Sequence, residues 1–151
     1  MIAPDALVNL NTWTYDAVKE QMAGVTHEDS VRQPMSDGNC LNWVVGHIVA
    51  GRSNVLAMLG APTVWRYADV KPYLPGSAPF TAGATAHWIE CILTDLDQAR
   101  EHLLTALRGV APEALQVTRD DETLDTKLLS YGLHEAYHAG QVELLWPRGD
   151  P

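Results

Sequence analysis

Two histidines in the last quarter of the sequence have the spacing that binding a single metal ion requires. His134 and His138 lie four positions apart in a segment with helical periodicity. Residues i and i+4 share one face of a helix, with Cβ atoms roughly 6 Å apart, so both imidazoles can reach one ion at about 2.0–2.1 Å. The same face carries further uncharged side chains, namely Tyr131, Gln141 or Val142, and Leu145. We therefore expect the histidine pair to face the protein interior.

The pentapeptide that contains this pair also matches HExxH, the zincin signature. That motif uses its glutamate as a general base and needs a third ligand, usually further along the chain. No histidine follows His138 and no sheet is predicted before this helix, so the sequence disfavours a metalloprotease. Glu135 is instead predicted to be a surface residue or a partner of a histidine ring.

A third histidine, His47, lies in the middle of the second predicted helix, between Gly46 and Gly51. Each glycine inside a helix costs about 1 kcal/mol relative to alanine. Two such glycines beside a histidine indicate either that something needs space there or that two helices pack closely. A lone inward histidine is more often a hydrogen-bonded core residue than a ligand. Two buried imidazoles without an anion nearby are harder to satisfy without a metal.

The other three histidines are predicted to be structural or superficial. His102 shares a helix face with Asp95 and Gln98, at the edge of an apolar stripe. His27 lies in a polar turn, and His87 is near a helix start, where solvation is easy. These residues are left out of the predicted site.

Size and composition restrict the class of protein. The chain has 151 residues, which favours one domain that spans residues 1–151. Ten Lys and Arg stand against nineteen Asp and Glu, and the resulting charge of −9 repels nucleic-acid phosphates. No apolar run is long enough to span a membrane, and the first residues do not resemble a signal peptide. Because Cys40 and Cys91 form no disulfide framework, we expect a cytoplasmic protein with reduced thiols.

Four segments have the periodicity of long helices, and they predict an all-α four-helix bundle. They cover about residues 4–23, 40–59, 85–108 and 124–145. A long connection over residues 60–84, rich in proline, glycine and alanine, shows no clear helical period. Pro112–Leu115 is predicted to form one helical turn, and no strand pair is expected.

The fourth predicted helix has one face for the interior and one for solvent. Thr123 is its candidate N-cap residue. Asp125 and Glu143 fall opposite the histidine face and are predicted to be exposed to solvent. Lys127 lies near the histidine face, but its amine is expected to reach water at the helix start.

These segments resemble the DinB/YfiT-like family of metal-binding four-helix bundles. The second predicted helix contains the aromatic residue and Gly-His pair of that family, in the stretch Asn42-Trp43-Val44-Val45-Gly46-His47-Ile48. The last helix contains its HxxxH segment, in the stretch His134-Glu135-Ala136-Tyr137-His138-Ala139-Gly140-Gln141. The resemblance implies an up-down-down-up bundle with a long crossover between helices two and three. It also implies one divalent metal ion, zinc or nickel, bound by His47, His134 and His138.

Relatives in that family include transferases and isomerases that use low-molecular-weight thiols, and many form homodimers. The leading hypothesis is therefore a thiol S-transferase whose partners are a small-molecule thiol and an electrophilic acceptor. Tyr131 and Gln141 are candidates for orienting ligands or substrate, and Asn54 lies within two turns of His47.

Three further residues near these positions have competing interpretations. Arg52 could pair with a carboxylate of the thiol, although a solvated surface arginine is the favoured interpretation. Trp13 and Trp43 could form walls of a pocket, although core packing is favoured for each.

Three alternatives to thiol transfer remain open. The first is hydrolysis or isomerisation by metal-bound hydroxide, which would need no thiol. The second is a non-enzymatic, metal-stabilised stress or interaction protein, which a closed coordination shell without a neighbouring cavity would favour. The third is a helical bundle that binds no metal.

Overall fold

The computed structural model describes residues 2–34, 38–80 and 86–146, and these residues are mostly helical. Four long helices and three single-turn helices follow one another along the chain: α1 (Pro4–Gln21), α2 (His27–Ser30), α3 (Leu41–Met58), α4 (Tyr67–Val70), α5 (Ile89–Gly109), α6 (Pro112–Leu115) and α7 (Leu124–Leu145). A 3₁₀ turn (Lys71–Tyr73) follows α4, and a two-stranded hairpin, β1 (Thr118–Arg119) and β2 (Glu122–Thr123), precedes α7. The all-α prediction is confirmed.

The four long helices contact one another in a ring. Helix α1 packs against α5 and α7, and α3 packs against the same two helices. Fourteen of the 18 residues of α3 are buried, because α2, α4 and the 3₁₀ turn cover its outer side. Helix α3 is therefore the central element, and polar side chains that it carries lie in the interior.

Several boundaries differ from the sequence-based predictions. Helix α5 begins at Ile89 rather than near residue 85, and residues 81–85 lie outside the described part of the chain. The connection over residues 60–84, whose sequence shows no clear helical period, contains α4 and the 3₁₀ turn. The predicted helical turn at Pro112–Leu115 is confirmed.

The β1–β2 hairpin contradicts the prediction that no strands pair. Its two-residue turn consists of Asp120 and Asp121, both with positive φ, of 53° and 65°. Aspartate tolerates this left-handed conformation better than most residues, and it is the conformation that tight hairpin turns require. The strands are two residues long, too short to show an alternating pattern in the sequence.

Asp125, predicted to face solvent, is 2% exposed. Its carboxylate accepts hydrogen bonds from the side chains of Thr123 and Gln116, at 2.5 and 2.8 Å, and from the backbone N–H of Ile2, at 2.7 Å. The predicted exposure is wrong because α6 and the start of α1 cover the first turn of α7. Thr123 precedes α7 as expected, but its side chain bonds to Asp125 instead of capping a backbone N–H. Glu143 is exposed, as predicted.

Within residues 2–34, 38–80 and 86–146, no helix combines the length and the apolar character that crossing a lipid bilayer requires.

Candidate metal centre

Three imidazole rings converge where α3 passes α7. His138 is buried but His134 is exposed, so the prediction that both histidines of α7 face the interior is wrong for His134. The Nε2 atom of His134 lies 3.0 Å from Nε2 of His47 and 3.0 Å from Nε2 of His138. All three candidate ligand atoms lie within 4.8 Å of one another. Two nitrogens bound at about 2.05 Å to one tetrahedral ion are separated by about 3.4 Å, so the rings are already close to the spacing that a shared ion needs.

Hydrogen bonds at the far side of two rings orient the site. Nδ1 of His47 lies 2.7 Å from the backbone carbonyl oxygen of Tyr73, and Nδ1 of His138 lies 2.7 Å from Oε1 of Gln141. Because a carbonyl oxygen only accepts, each Nδ1 must carry the proton. The Nε2 atoms of both neutral rings are then lone-pair acceptors that point toward His134. This is the arrangement in which histidines bind metals in proteins.

The Gly46 position allows Tyr73 to approach His47. A Cβ atom built on Gly46 would lie 2.2 Å from Cδ1 of the Tyr73 ring, so only glycine leaves room for the ring there. On its other side, His47 stacks against Trp43 with ring centroids 4.7 Å apart. The predicted need for space at Gly46 thus reflects close packing of the crossover segment against α3.

Burial keeps two of the rings neutral. It lowers the pKa of His138 to about 4, although the hydrogen bond to Gln141 opposes the shift. Burial also lowers the pKa of His47, and the Tyr73 carbonyl opposes this effect. Metal ligation requires neutral imidazole, so near pH 7 these two rings are in the form that binds a metal.

The sequence profile of the DinB superfamily matches residues 11–142, a segment that includes all three histidines. The chain belongs to the DinB superfamily. The resemblance deduced from two short motifs is therefore confirmed over most of the chain. Comparison with curated proteins gives no match.

Beside the histidines of this DinB-superfamily protein lies a buried ion pair that the sequence did not predict. Arg52 donates from Nε and Nη2 to the two carboxylate oxygens of Glu135, at 3.0 and 2.6 Å. The Arg52 and Glu135 side chains are only 1% and 8% exposed. The hydroxyl of Thr14 donates to the same carboxylate, and Arg52 also donates to the backbone oxygen of Asn11. The surface position favoured for Arg52 is wrong, and so is the first of the two alternatives for Glu135, because each residue neutralises the other in the core. The described hydrogen bonds of the Glu135 carboxylate come from Arg52 and Thr14 rather than from a histidine ring.

An open cleft of about 330 Å³ adjoins the histidines and is lined in part by His47 and His134. Asn54 and Tyr131, both predicted near the site, also line this cleft. A second, smaller cavity of about 20 Å³ is lined by all three histidines and by Arg52. The coordination site therefore has one side open to a space that a small molecule can enter.

The remaining predicted site residues divide into two groups. Gln141 contacts His138 and also donates to the hydroxyl of Tyr137, and Trp43 is buried against His47. Trp13 is 74% exposed, which contradicts both interpretations given for it, pocket wall and core residue. Its neighbour on α1, the smaller and polar Thr14, is the residue that faces the interior.

Sequence reasoning missed Tyr73, which lies in the crossover where no pattern marked it. The other three histidines lie outside the cluster, as predicted. His102 bonds to the carbonyl oxygen of Pro62, His27 accepts from the backbone N–H of Ile89, and His87 packs near the Tyr73 ring.

Proposed function

We propose that this chain binds one divalent metal ion, zinc or nickel, through the Nε2 atoms of His47, His134 and His138. The observation that carries the proposal is the convergence of three ring nitrogens, two of which have their protons held on the opposite side. Only one ring proton, that of His134, can then lie among the three Nε2 atoms, and it can form a good hydrogen bond to only one of the other two. A cation can instead bind the lone pairs of all three nitrogens. Three neutral nitrogen ligands are also a donor set that zinc and nickel accept.

We further propose that the metal serves catalysis by thiol S-transfer. A structural zinc site has four protein ligands, whereas three ligands and an adjoining cleft are typical of catalytic sites. The bound cation would stabilise the thiolate form of a low-molecular-weight thiol. The cleft beside His47 and His134 supports this function over a closed, metal-stabilised interaction protein.

The reaction is a substitution without change of oxidation state. The thiolate sulfur forms a bond to the electrophilic carbon of the acceptor, and the leaving group departs with the electron pair of the bond that breaks. The thiol proton is released to solvent. Tyr131 and Asn54 line the cleft and would orient the acceptor, and Gln141 would keep His138 in the tautomer that binds.

Metal analysis tests the binding step. The wild type, purified without an affinity tag, is expected to contain about one zinc or nickel ion per chain. His134→Ala is expected to lose that ion and the rise in melting temperature on metal addition. His102→Ala, which removes a histidine outside the cluster, should retain both. Equal metal content in wild type and His134→Ala would contradict the proposal.

Activity with a thiol panel and 1-chloro-2,4-dinitrobenzene tests the transfer step. We expect metal-loaded wild type to form the thioether faster than His47→Ala, with folding of the variant checked by circular dichroism. Turnover of ester or amide substrates without thiol would instead favour hydrolysis. No thiol-dependent rate above that of His47→Ala would rule out S-transfer.

We also propose the up-down-down-up arrangement of the four long helices. The start of α1 contacts the start of α7 through Ile2 and Asp125, which supports parallel α1 and α7. Lys19, late in α1, pairs with Asp97 in the first half of α5, which supports an antiparallel α1 and α5. The Arg52–Glu135 pair, considered with the histidines, supports an antiparallel α3 and α7. The homodimer implied by the family resemblance stays a prediction.

A further inference from the structure

The cleft next to the histidines has walls that combine aliphatic surface with a few neutral polar groups. Ala50, Leu74 and Pro75 supply aliphatic surface. Asn54, Ser130 and Tyr131 supply an amide and two hydroxyl groups that can donate or accept hydrogen bonds. Its volume of about 330 Å³ falls at the lower end of the range for small-molecule sites.

No Asp, Glu, Lys or Arg is among the described residues that line this cleft. Arg52 is the nearby cation, but it borders the separate small cavity, and two of its nitrogens are bonded to Glu135. Its side chain is 1% exposed. A ligand carboxylate that lies in the cleft away from the histidines would therefore gain no ion-pair partner from the side chains that line it.

We propose that the part of the substrate that lies in this cleft beyond the group bound at the histidines is uncharged and largely apolar, with one hydrogen-bonding group. This inference specifies the class of substrate for the proposed metal site, and it therefore rests on the proposed function. Contact with the aliphatic wall displaces water from a charge and offers it no counter-ion, whereas a neutral amide or hydroxyl can bond to Asn54, Ser130 or Tyr131. Thiols and acceptors whose cleft-facing portion is neutral are thus favoured over those that place a carboxylate there.

Gly51 leaves free space at the wall of the cleft. It lies one turn after His47 on α3 and borders both the cleft and the small cavity. A Cβ atom built on Gly51 meets no atom within 4 Å, so the space beside it is free. A larger side chain at this position would begin in open space and extend toward the cleft.

Three probes of nearly equal size and different charge test the inference: benzamide (neutral), benzoate (anionic) and benzamidine (cationic). Their affinities for the full chain are measured by NMR titration of zinc-free protein, at low and high salt. We expect benzamide to bind about tenfold or more tightly than either charged probe in zinc-free protein. Benzoate or benzamidine binding as tightly as benzamide would overturn the inference, as would no binding of any probe.

The salt series separates the lining of the cleft from the overall charge of −9. If the net charge governs selection, benzamidine binds best at low salt and loses that advantage at high salt. That result would overturn the inference. A preference for benzamide that persists at both salt concentrations supports it.

Substitutions at Gly51 locate the binding. Gly51→Leu is expected to weaken benzamide binding about tenfold or more, because the side chain occupies the cleft. Gly140→Leu is the matched control, since Gly140 is also helical, is exposed and has no atom within 4 Å of an added Cβ. Gly51→Ala, which adds one methyl, is expected to show a smaller loss and serves if Gly51→Leu does not fold. Unchanged benzamide affinity in both Gly51 variants would overturn the inference.

The two proposals fail in different ways. Probe affinity in zinc-free protein depends on neither metal nor thiol. Selective benzamide binding without thiol transfer would refute the proposed activity and leave the inference standing. Thiol transfer together with equal binding of the three probes would refute the inference alone.

Discussion

Arg52 and Glu135 form a two-point ion pair inside the helical core, and Glu135 directly follows His134 on α7. The two residues are 83 positions apart in sequence, and the pair joins α3 to α7 beside the histidine cluster. Bidentate contact sets the position of one helix along the other, because both hydrogen bonds form at only one offset. The same offset brings His47 toward the two histidines of α7.

Removal of Arg52 is expected to destabilise the protein strongly. Arg52→Met leaves the Glu135 carboxylate buried without a counter-ion, a change that typically costs about 3–5 kcal/mol. The double variant Arg52→Met with Glu135→Leu removes both charges and is expected to be more stable than Arg52→Met alone. Urea unfolding of wild type and the three variants, including Glu135→Leu, measures these free energies.

A surface ion pair provides the control for this comparison. Arg32 pairs with Asp29 at 3.1 Å, but the Arg32 side chain is 68% exposed. Arg32→Met should therefore change the free energy of unfolding by less than about 1 kcal/mol. If Arg52→Met lowers the free energy of unfolding no more than Arg32→Met does, the buried pair does not hold α3 against α7.

The two glycines that flank His47 are expected to respond oppositely to alanine. Gly46→Ala forces the buried Tyr73 ring to move, which costs about 1–3 kcal/mol and displaces the carbonyl that orients His47. Gly51→Ala meets open space and should stabilise the helix by up to about 1 kcal/mol. Thermal and urea unfolding test both changes, and zinc affinity tests the displaced carbonyl in Gly46→Ala. Equal effects at the two glycines would contradict the geometry.

Gln141 is expected to control metal affinity without touching the metal. Gln141→Leu removes the acceptor for Nδ1 of His138, and loss of such a partner typically weakens metal binding by about 10–100-fold. Gln141→Glu keeps an acceptor oxygen and should restore most of the affinity. Competition with a chromophoric chelator measures zinc binding. Glu143→Leu, at an exposed position two residues further on, is the control and should leave the affinity unchanged.

Asp125 is expected to make stability depend on pH in the acidic range. The Thr123 hydroxyl, together with bonds from Ile2 and Gln116, holds the pKa of Asp125 well below its ordinary value of 3.8. A lowered folded-state pKa adds stability above the unfolded-state value, and that stability is lost as the pH falls below it. Asp125→Asn should therefore melt at a lower temperature than wild type at neutral pH, and the gap should narrow below about pH 4. A difference in melting temperature between wild type and Asp125→Asn that stays constant with pH would contradict the lowered pKa of Asp125.

The long helices could be predicted because they depend on local pattern. Apolar spacing located all four, and only their ends moved by a few residues. The single-turn helices α2 and α4 and the 3₁₀ turn were missed, since three or four residues are too short to show a period. Tyr73 was missed for the same reason, although its carbonyl orients His47.

The candidate site was partly predictable. The His134–His138 spacing is a local property, so it indicated two candidate ligands directly. His47 became a candidate from its flanking glycines and the family resemblance, and the structure brings its ring to the pair. The positions of Arg52, Glu135 and Asp125 were wrong, because helical periodicity assigns a charged residue to a face but does not reveal the partner that allows its burial.

The amino-acid sequence by itself determined the helical class, the family and the two histidines that share a helix face, because these follow from residues close together along the chain. Tertiary structure alone decided that a ring 87 positions away completes the cluster, and that Arg52 and Glu135 lie in the core. The reason is physical: burying a charge or a ring nitrogen is favourable only when a distant segment supplies its partner. That pairing exists only once α3 and α7 have packed together.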